Sequence, residues 1–333
     1  FFQAEDGIRD YKVTGVQTCV FRSSIDFLLK ILVLSNLEHI MASTLLMEKI
    51  LFGVAKQWIA GNTIDDALSA GQNSYKNGMG VIINKLGEYH TSKNLIENTI
   101  SEYKTVMESF RKWKVSGAIS VKPTQIGLMK SKKECLMNFE ALINSATKSQ
   151  SFVWIDMESS DHTDETIQIY ENLLARYERL GIAIQANLLR SEGDLADLLS
   201  IGGKIRLVKG AYREDSNVVF KSKQKVDQNY LRLMSILFES GNEFGIATHD
   251  GAMISSAVVL AKKYEKKFEF QMLRGIRDEL KPVLIKKGFS LSEYIPYGTN
   301  WLPYSIRRLK ERKRNILLLG SSFLQQKAKP LGI

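Results

Sequence analysis

The chain has 333 residues, 44% of them apolar, and 46 Lys plus Arg against 36 Asp plus Glu leave a net charge of +10. That apolar share excludes a disordered chain, and no apolar run reaches the ~18 residues a spanning helix needs. Two cysteines, Cys19 and Cys135, exclude a disulfide framework, and the four His do not cluster with them, so neither a Cys/His zinc site nor any other metal is expected. The basic excess fits nucleic acid, an anionic membrane surface or an anionic substrate. It is spread along the chain apart from one dense run, Arg307 to Arg314, which as a bare charge run reads as a solvated face.

Residues 1–24 show neither helical nor strand periodicity and resemble translated sequencing-adapter read-through, so they are set aside from fold reasoning. The next stretch, IDFLLKILVLSNLEHI, is largely apolar but carries Lys30. It reads as a signal peptide or, preferably, as translated upstream DNA. Residues 1–40 are therefore expected to be a non-native or disordered leader, with Met41 or Met47 as the natural start. Cys135 is then the one remaining cysteine, which favours a reducing compartment. Residues 41–78 read as a short helical arm: Glu48 to Ile59 is amphipathic, and Asn62 or Thr63 caps a second helix with Asp65 and Asp66 in its first turn.

From residue 79 a pattern repeats. Short β-rich runs occur at Gly80–Asn84, Ala118–Lys122, Phe152–Met157, Ile182–Asn187, Lys204–Lys209, Phe244–Thr248, Lys267–Gln271 and Glu293–Pro296. Segments with helical spacing lie between them, among them Asn94–Trp113, Asp164–Leu180 and Asp227–Ser240. Strand alternating with helix implies right-handed βαβ units and a parallel sheet. Eight units over residues 79–318 predict an α/β chain closed into a (β/α)8 TIM-type barrel, followed by a tail at 319–333. An open doubly wound sheet is the alternative, but neither GxGxxG nor a Walker A motif is present.

Polar residues gather at the C-terminal ends of these runs: Lys122, Thr124 and Gln125; Asp156 and Glu158; Gln185 and Asn187; Arg206 and Lys209; Thr248, His249 and Asp250; Gln271; and Tyr294. In a barrel they converge on the face that carries active sites. Asp156 follows an apolar run and needs a cationic partner, for which Lys122 on the neighbouring strand is the candidate. Arg206 and Lys209, three apart, face opposite sides of a plain strand, and Gly210 permits close backbone approach to a ligand. In WLPYSIRRLKE, Tyr304, Arg307, Arg308 and Glu311 share one helical face. Adjacent Arg residues suit a bidentate grip on a small carboxylate or phosphate.

SVKPTQIG, DMESS, IQANLLRSEGDL, RLVKGAY, ATHD, FEFQML and YIPYGTNWLPYSIRRLKE stand in the order seen in the proline dehydrogenase family, which the chain resembles from about residue 47 to 318. The resemblance implies a distorted flavin-binding (β/α)8 barrel of the monofunctional form. It also implies oxidation of L-proline to 1-pyrroline-5-carboxylate by hydride transfer to non-covalent FAD, with a quinone as final acceptor. It places Lys122, Asp156, Leu273, Tyr294, Tyr304, Arg307 and Arg308 at the substrate, with the two arginines on the proline carboxylate. Met157, Gln185, Arg206, Lys209, Gly210, Ala211, Thr248, His249 and Glu311 fall at FAD-contact positions, Arg206 near the flavin N5. Asp156 and Arg206 are the residues it makes catalytic. Arg274 and Asn187 depart from the family's commoner residues. The implied setting is the cytoplasm, with peripheral contact at the inner face of the membrane. Two other readings compete. One is a Schiff-base, aldolase-like barrel using Lys122 or Lys209. The other is a basic nucleic-acid-binding protein, disfavoured because residues 305–314 interleave no aromatic with the basic run.

Overall fold

A computed structural model describes residues 51–311, with side chains through Arg308. The leader at 1–40, the Met41 and Met47 starts and the tail at 319–333 lie outside the described residues. Two compact units divide the chain, one running from Ala55 to Ser305 and the other combining residues before and after it. Of the second unit, the described residues 51–54 and 306–311 are helical.

The larger unit is a closed parallel barrel in sequential strand order. Its strands are β1 (Gly80–Lys85), β2 (Gly117–Val121), β3 (Phe152–Ile155), β4 (Leu180–Gln185), β5 (Ile205–Val208), β6 (Glu243–Ala247), β7 (Lys267–Leu273) and β8 (Leu291–Tyr297). β8 closes on β1 in a register running from Gly80 opposite Ser292 to Lys85 opposite Tyr297. Every predicted strand is present, and the (β/α)8 expectation holds. Several predicted strands run a residue or two past the last pairing, so Lys122 and Asp156 sit just beyond β2 and β3.

Helix α1 (Ile64–Lys76) precedes β1, and α2 (Lys93–Trp113), α3 (Lys132–Ser149), α4 (Thr163–Leu174), α5 (Ser191–Ser200), α6 (Lys223–Ser240), α7 (Gly251–Lys263), α8 (Lys281–Lys286) and α9 (Trp301–Glu311) follow the eight strands in turn. Thr63, not Asn62, caps α1: its hydroxyl accepts from Asp66 N, and Asp66 Oδ2 accepts from Thr63 N at 2.9 Å. Such a reciprocal cap contributes about 1 kcal/mol. Ala67, Leu68 and Ala70 of α1 join the buried layer between sheet and helices, and Ser74 donates to Glu293 of β8 at 2.6 Å. The stretch that the sequence separates as an arm at 41–78 therefore packs with the barrel from Ala55 onward. Helix α4 ends at Leu174 instead of Leu180. No Gly or Pro interrupts ARYERL, so local propensity alone continues the helix, but the sheet claims Leu180 by pairing it with Val153.

Side chains alternate across each strand. Outward residues such as Ile83, Ile119, Val153, Ile182, Leu207, Phe270 and Ile295 build the main core against the helices. Each fully buried aliphatic or aromatic side chain contributes about 1.5–3 kcal/mol. Ile82, Ala118 and Trp154, joined by Phe152 and Tyr294, form a separate small cluster. Beside it the lumen is polar, and that polarity locates the site.

Candidate active site

Asp156 is the hub. Its backbone N–H donates to the Val121 carbonyl at 2.9 Å, tying the end of β3 to the end of β2. Its Oδ1 accepts from Ser120 Oγ at 2.6 Å and from Arg206 Nη1 at 2.7 Å. Its Oδ2 accepts from the Tyr294 hydroxyl at 2.8 Å and lies 3.9 Å from Lys122 Nζ. Three strands, β2, β5 and β8, thus deliver partners to one carboxylate at the end of β3. The side chains of Arg206 and Asp156 are 3% and 13% exposed. Burying two charges is costly unless they are paired and hydrogen-bonded, and here they are both. Burial lowers the guanidinium pKa of Arg206, opposed by Asp156. Burial, helped by the Asp156 charge, drives the Tyr294 hydroxyl far above its usual range, so it remains a neutral donor. The Arg206 guanidinium lies 4.6 Å from the Trp154 ring centre and 5.6 Å from that of Tyr294, in cation–π range.

The expected pairing of Asp156 with Lys122 is present, as an ion pair at 3.9 Å, but the closer cation, in hydrogen-bond contact, is Arg206. Inward side chains meet across the lumen as well as along the sheet. A long guanidinium on β5 therefore reaches the end of β3.

The other expected residues fall as follows. Lys209 leaves β5 opposite to Arg206 and pairs with Asp227 at 2.6 Å and Asp250 at 2.8 Å. Gly210 has φ +102, and a Cβ there would come within 2.0 Å of Asn187 Oδ1, so both backbone and space require glycine. Ala211 follows it at the start of the loop after β5. Gln185 Nε2 donates to the Glu158 carbonyl at 2.8 Å, and Met157 is buried in the main core. Thr248 Oγ1 accepts from Asp250 N at 3.1 Å. His249 Nε2 accepts from Leu273 N at 2.8 Å, which puts the ring proton of the neutral imidazole on Nδ1. Leu273 ends β7, and Arg274 beyond it reaches Glu293 at 3.4 Å, on the outward side of β8. Tyr304 is buried in α9. Arg307 and Arg308 follow on α9 within the second unit, and the Glu311 side chain lies outside the described residues.

Sequence reasoning missed several groups. Ser120, a small hydroxyl within β2, leaves no pattern signal except its parity with Lys122. Loop contacts also cross the barrel mouth: Tyr212 donates to Glu88 at 3.1 Å, and Glu214 accepts from Ser160 N at 3.1 Å and Ser160 Oγ at 2.6 Å. Glu158, which the sequence already places among the polar strand ends, is fully buried, accepts from Thr124 N and Oγ1 at 2.9 and 2.6 Å, and is pushed up to about 7 by that burial.

Two buried polar atoms of the site, the donor Arg206 Nη2 and the acceptor Asn187 Oδ1, have no hydrogen-bond partner among the described residues. Buried polar groups are rarely left so. With the side-chain-free surface at Gly210, they suit a polar ligand that offers both an acceptor and a donor.

The family model for proline dehydrogenase matches residues 67–318. Proline dehydrogenase 1 of Bacillus subtilis is 33% identical over 275 residues, covering 82% of this chain and 91% of the relative. Proline dehydrogenase of Deinococcus radiodurans is 32% identical over 309 residues, covering 90% and 99%. Among solved structures, proline utilization A from Bdellovibrio bacteriovorus, inactivated by N-propargylglycine, superposes with a TM-score of 0.74 at 24% identity. The match covers 89% of this chain but only 37% of that longer one, and it speaks for the fold alone.

Proposed function

This chain belongs to the proline dehydrogenase family, and from that membership we propose that it oxidises L-proline to 1-pyrroline-5-carboxylate by hydride transfer to a bound FAD, with a quinone as final electron acceptor. Enzymes of this name carry out the first step of proline catabolism. The observation that supports the finer reading is a buried arginine, Arg206, locked into the Asp156 cluster yet keeping one donor, Nη2, without a partner among the described residues.

The residues fit a flavin. Arg206 offers the spare donor, Asn187 a spare acceptor, and Gly210 a backbone free of side-chain bulk. Gln185, Met157, Lys209, Ala211, Thr248, His249 and Glu311 complete the set that would hold it. FAD, when bound, supplies the hydride acceptor that no side chain provides. The protein's part is orientation and electrostatics. Arg307 and Arg308 grip the proline carboxylate as planar forks. Tyr294 and Tyr304 shape the ring pocket, with Leu273 as a wall. Asp156 keeps Arg206 and Tyr294 in place and, with Lys122, balances the charge of the pocket. Lys122 and Lys209 each stand by carboxylates, unlike the cation-crowded, desolvated setting that activates a Schiff-base lysine.

Cytoplasmic location with peripheral contact at the inner membrane face completes the proposal. Its supports are the net charge of +10, the buried free thiol of Cys135, and the lack among the described residues of a helix long and apolar enough to cross a membrane. The test is to denature the purified full chain and identify the released chromophore. FAD is expected. Recovery of FMN, or of no flavin after expression with ample riboflavin, overturns the reading.

A further inference from the structure

The Arg206 guanidinium is held on two edges. Nη1 serves Asp156 and Ser120, each at 2.7 Å, while Nε donates to Gln271 Oε1 at 2.5 Å. An arginine and a carboxylate left to themselves favour a bidentate fork that uses two nitrogens. Two forks are open to a guanidinium, one on its Nε/Nη2 side and one on its Nη1/Nη2 end. Gln271 closes the first by claiming Nε, and in the second Asp156 Oδ2 accepts from Tyr294 instead, so Asp156 receives Nη1 alone and Nη2 is left over.

Gln271 does this with only one of its two amide orientations. A guanidinium has donors and no acceptor, so an amide turned the other way would set NH2 against N–H. What selects the orientation lies deeper in the barrel. Gln271 Nε2 donates to Glu269 Oε1 at 2.5 Å, and Ser292 Oγ of β8 donates to Glu269 Oε2 at 2.6 Å. Gly245 of β6 makes the room, since a Cβ there would stand 2.7 Å from Gln271 Nε2. Glu269 and Ser292 border an opening at the N-terminal ends of the strands, lined also by Trp154 and Arg179. One hydrogen-bonded line therefore runs from the rear of the barrel to Asp156.

We propose that Glu269 and Gln271 are positioning residues for Arg206: the rear carboxylate sets the Gln271 amide, and the amide sets the rotation of the guanidinium and keeps Nη2 free for the reaction site. The consequence for flavin rests on the reading of Arg206 given above, but the positioning itself does not.

The test uses the full chain, selectively labelled with 15N-arginine. The slowly exchanging Nε–H of Arg206 is assigned from its loss in Arg206→Lys. Gln271→Met and Glu269→Leu should speed that exchange by on the order of tenfold or more, because a hydrogen bond to a charged group is worth more than one factor of ten. Glu269→Gln keeps an acceptor oxygen and should restore slow exchange, a rescue that packing alone would not produce. Unchanged exchange in Gln271→Met and Glu269→Leu overturns the proposal. So does a Glu269→Gln that behaves like Glu269→Leu, since charge and not orientation would then matter. Should Gln271→Met not fold, the two Glu269 variants at the rear opening decide alone. A chain that purifies without flavin contradicts the cofactor reading but leaves this measurement intact.

Discussion

Removing the Asp156 carboxylate should be among the most damaging single changes in the barrel. Asp156→Ala strips Arg206 of its ion-pair partner at hydrogen-bond distance, the only one among the described residues, and leaves the donors of Ser120 and Tyr294 without their acceptor. Deleting one partner of a buried pair costs about 3–5 kcal/mol, because the remaining charge stays buried and uncompensated. Lys122 makes matters worse, since its ammonium then faces Arg206 without a carboxylate between them. The side chains are 13% and 3% exposed, so solvent screening relieves little of this. At about 2–4 °C per kcal/mol for a domain of this size, a loss of about 3 kcal/mol lowers Tm by about 6–12 °C. The assay is a thermal and urea melt of Asp156→Ala, Arg206→Met and the double variant. The two single losses added together should exceed the loss measured in the double variant, because removing both charges leaves neither uncompensated. A single loss below about 1 kcal/mol, the range of exposed pairs, or strict additivity in the double variant, would refute the reasoning.

Arg307→Met and Arg308→Met should each raise KM for proline by about thirtyfold or more, from a cost of about 2 kcal/mol or above, with flavin content retained. Arg312→Met and Arg314→Met should change neither, and equal behaviour of all four would show a solvated stripe. Burial raises Glu158 from its ordinary 4.5 to about 7, so the folded chain holds more protons than the unfolded one between those values. Its contribution is therefore fully present below about pH 4.5 and lost as pH rises to about 7; plotted as Tm against pH over that window, wild type should fall relative to Glu158→Gln, and parallel curves would contradict the assignment. Gly210→Ala must carry a side chain at φ +102 and push against Asn187. It should lose flavin on gel filtration and melt lower, and full retention would contradict a tight backbone cradle.

The barrel was legible because its signals are local. Alternating apolar runs mark all the strands, and Asn62 or Thr63 ahead of Asp65 and Asp66 marks the start of α1, with the structure choosing Thr63. Arg206 and Lys209 part to opposite sides as their spacing requires. What the sequence hid depends on the lumen. Parity says that Ser120, Arg206 and Tyr294 face inward, but no pattern says that a guanidinium on β5 reaches Asp156 beyond β3 while Lys122 stops at 3.9 Å. Gln271 reads as a polar strand end, and its amide acquires a role only because Gly245 opposite leaves it space. Leu174 ends α4 for a reason held in β3, where Val153 takes Leu180 as its partner. The departure at Arg274 likewise loses much of its weight in the fold, since that side chain reaches to Glu293.

The central claim is that proline reduces a flavin held by this barrel. It is tested most directly by mixing the purified full chain with L-proline under anaerobic conditions and following the visible spectrum. The account predicts an oxidised flavin spectrum before mixing, bleaching of the long-wavelength band on adding proline, and stoichiometric 1-pyrroline-5-carboxylate trapped as a coloured adduct. A flavin spectrum that proline leaves unchanged in folded protein, with no product trapped, would contradict it.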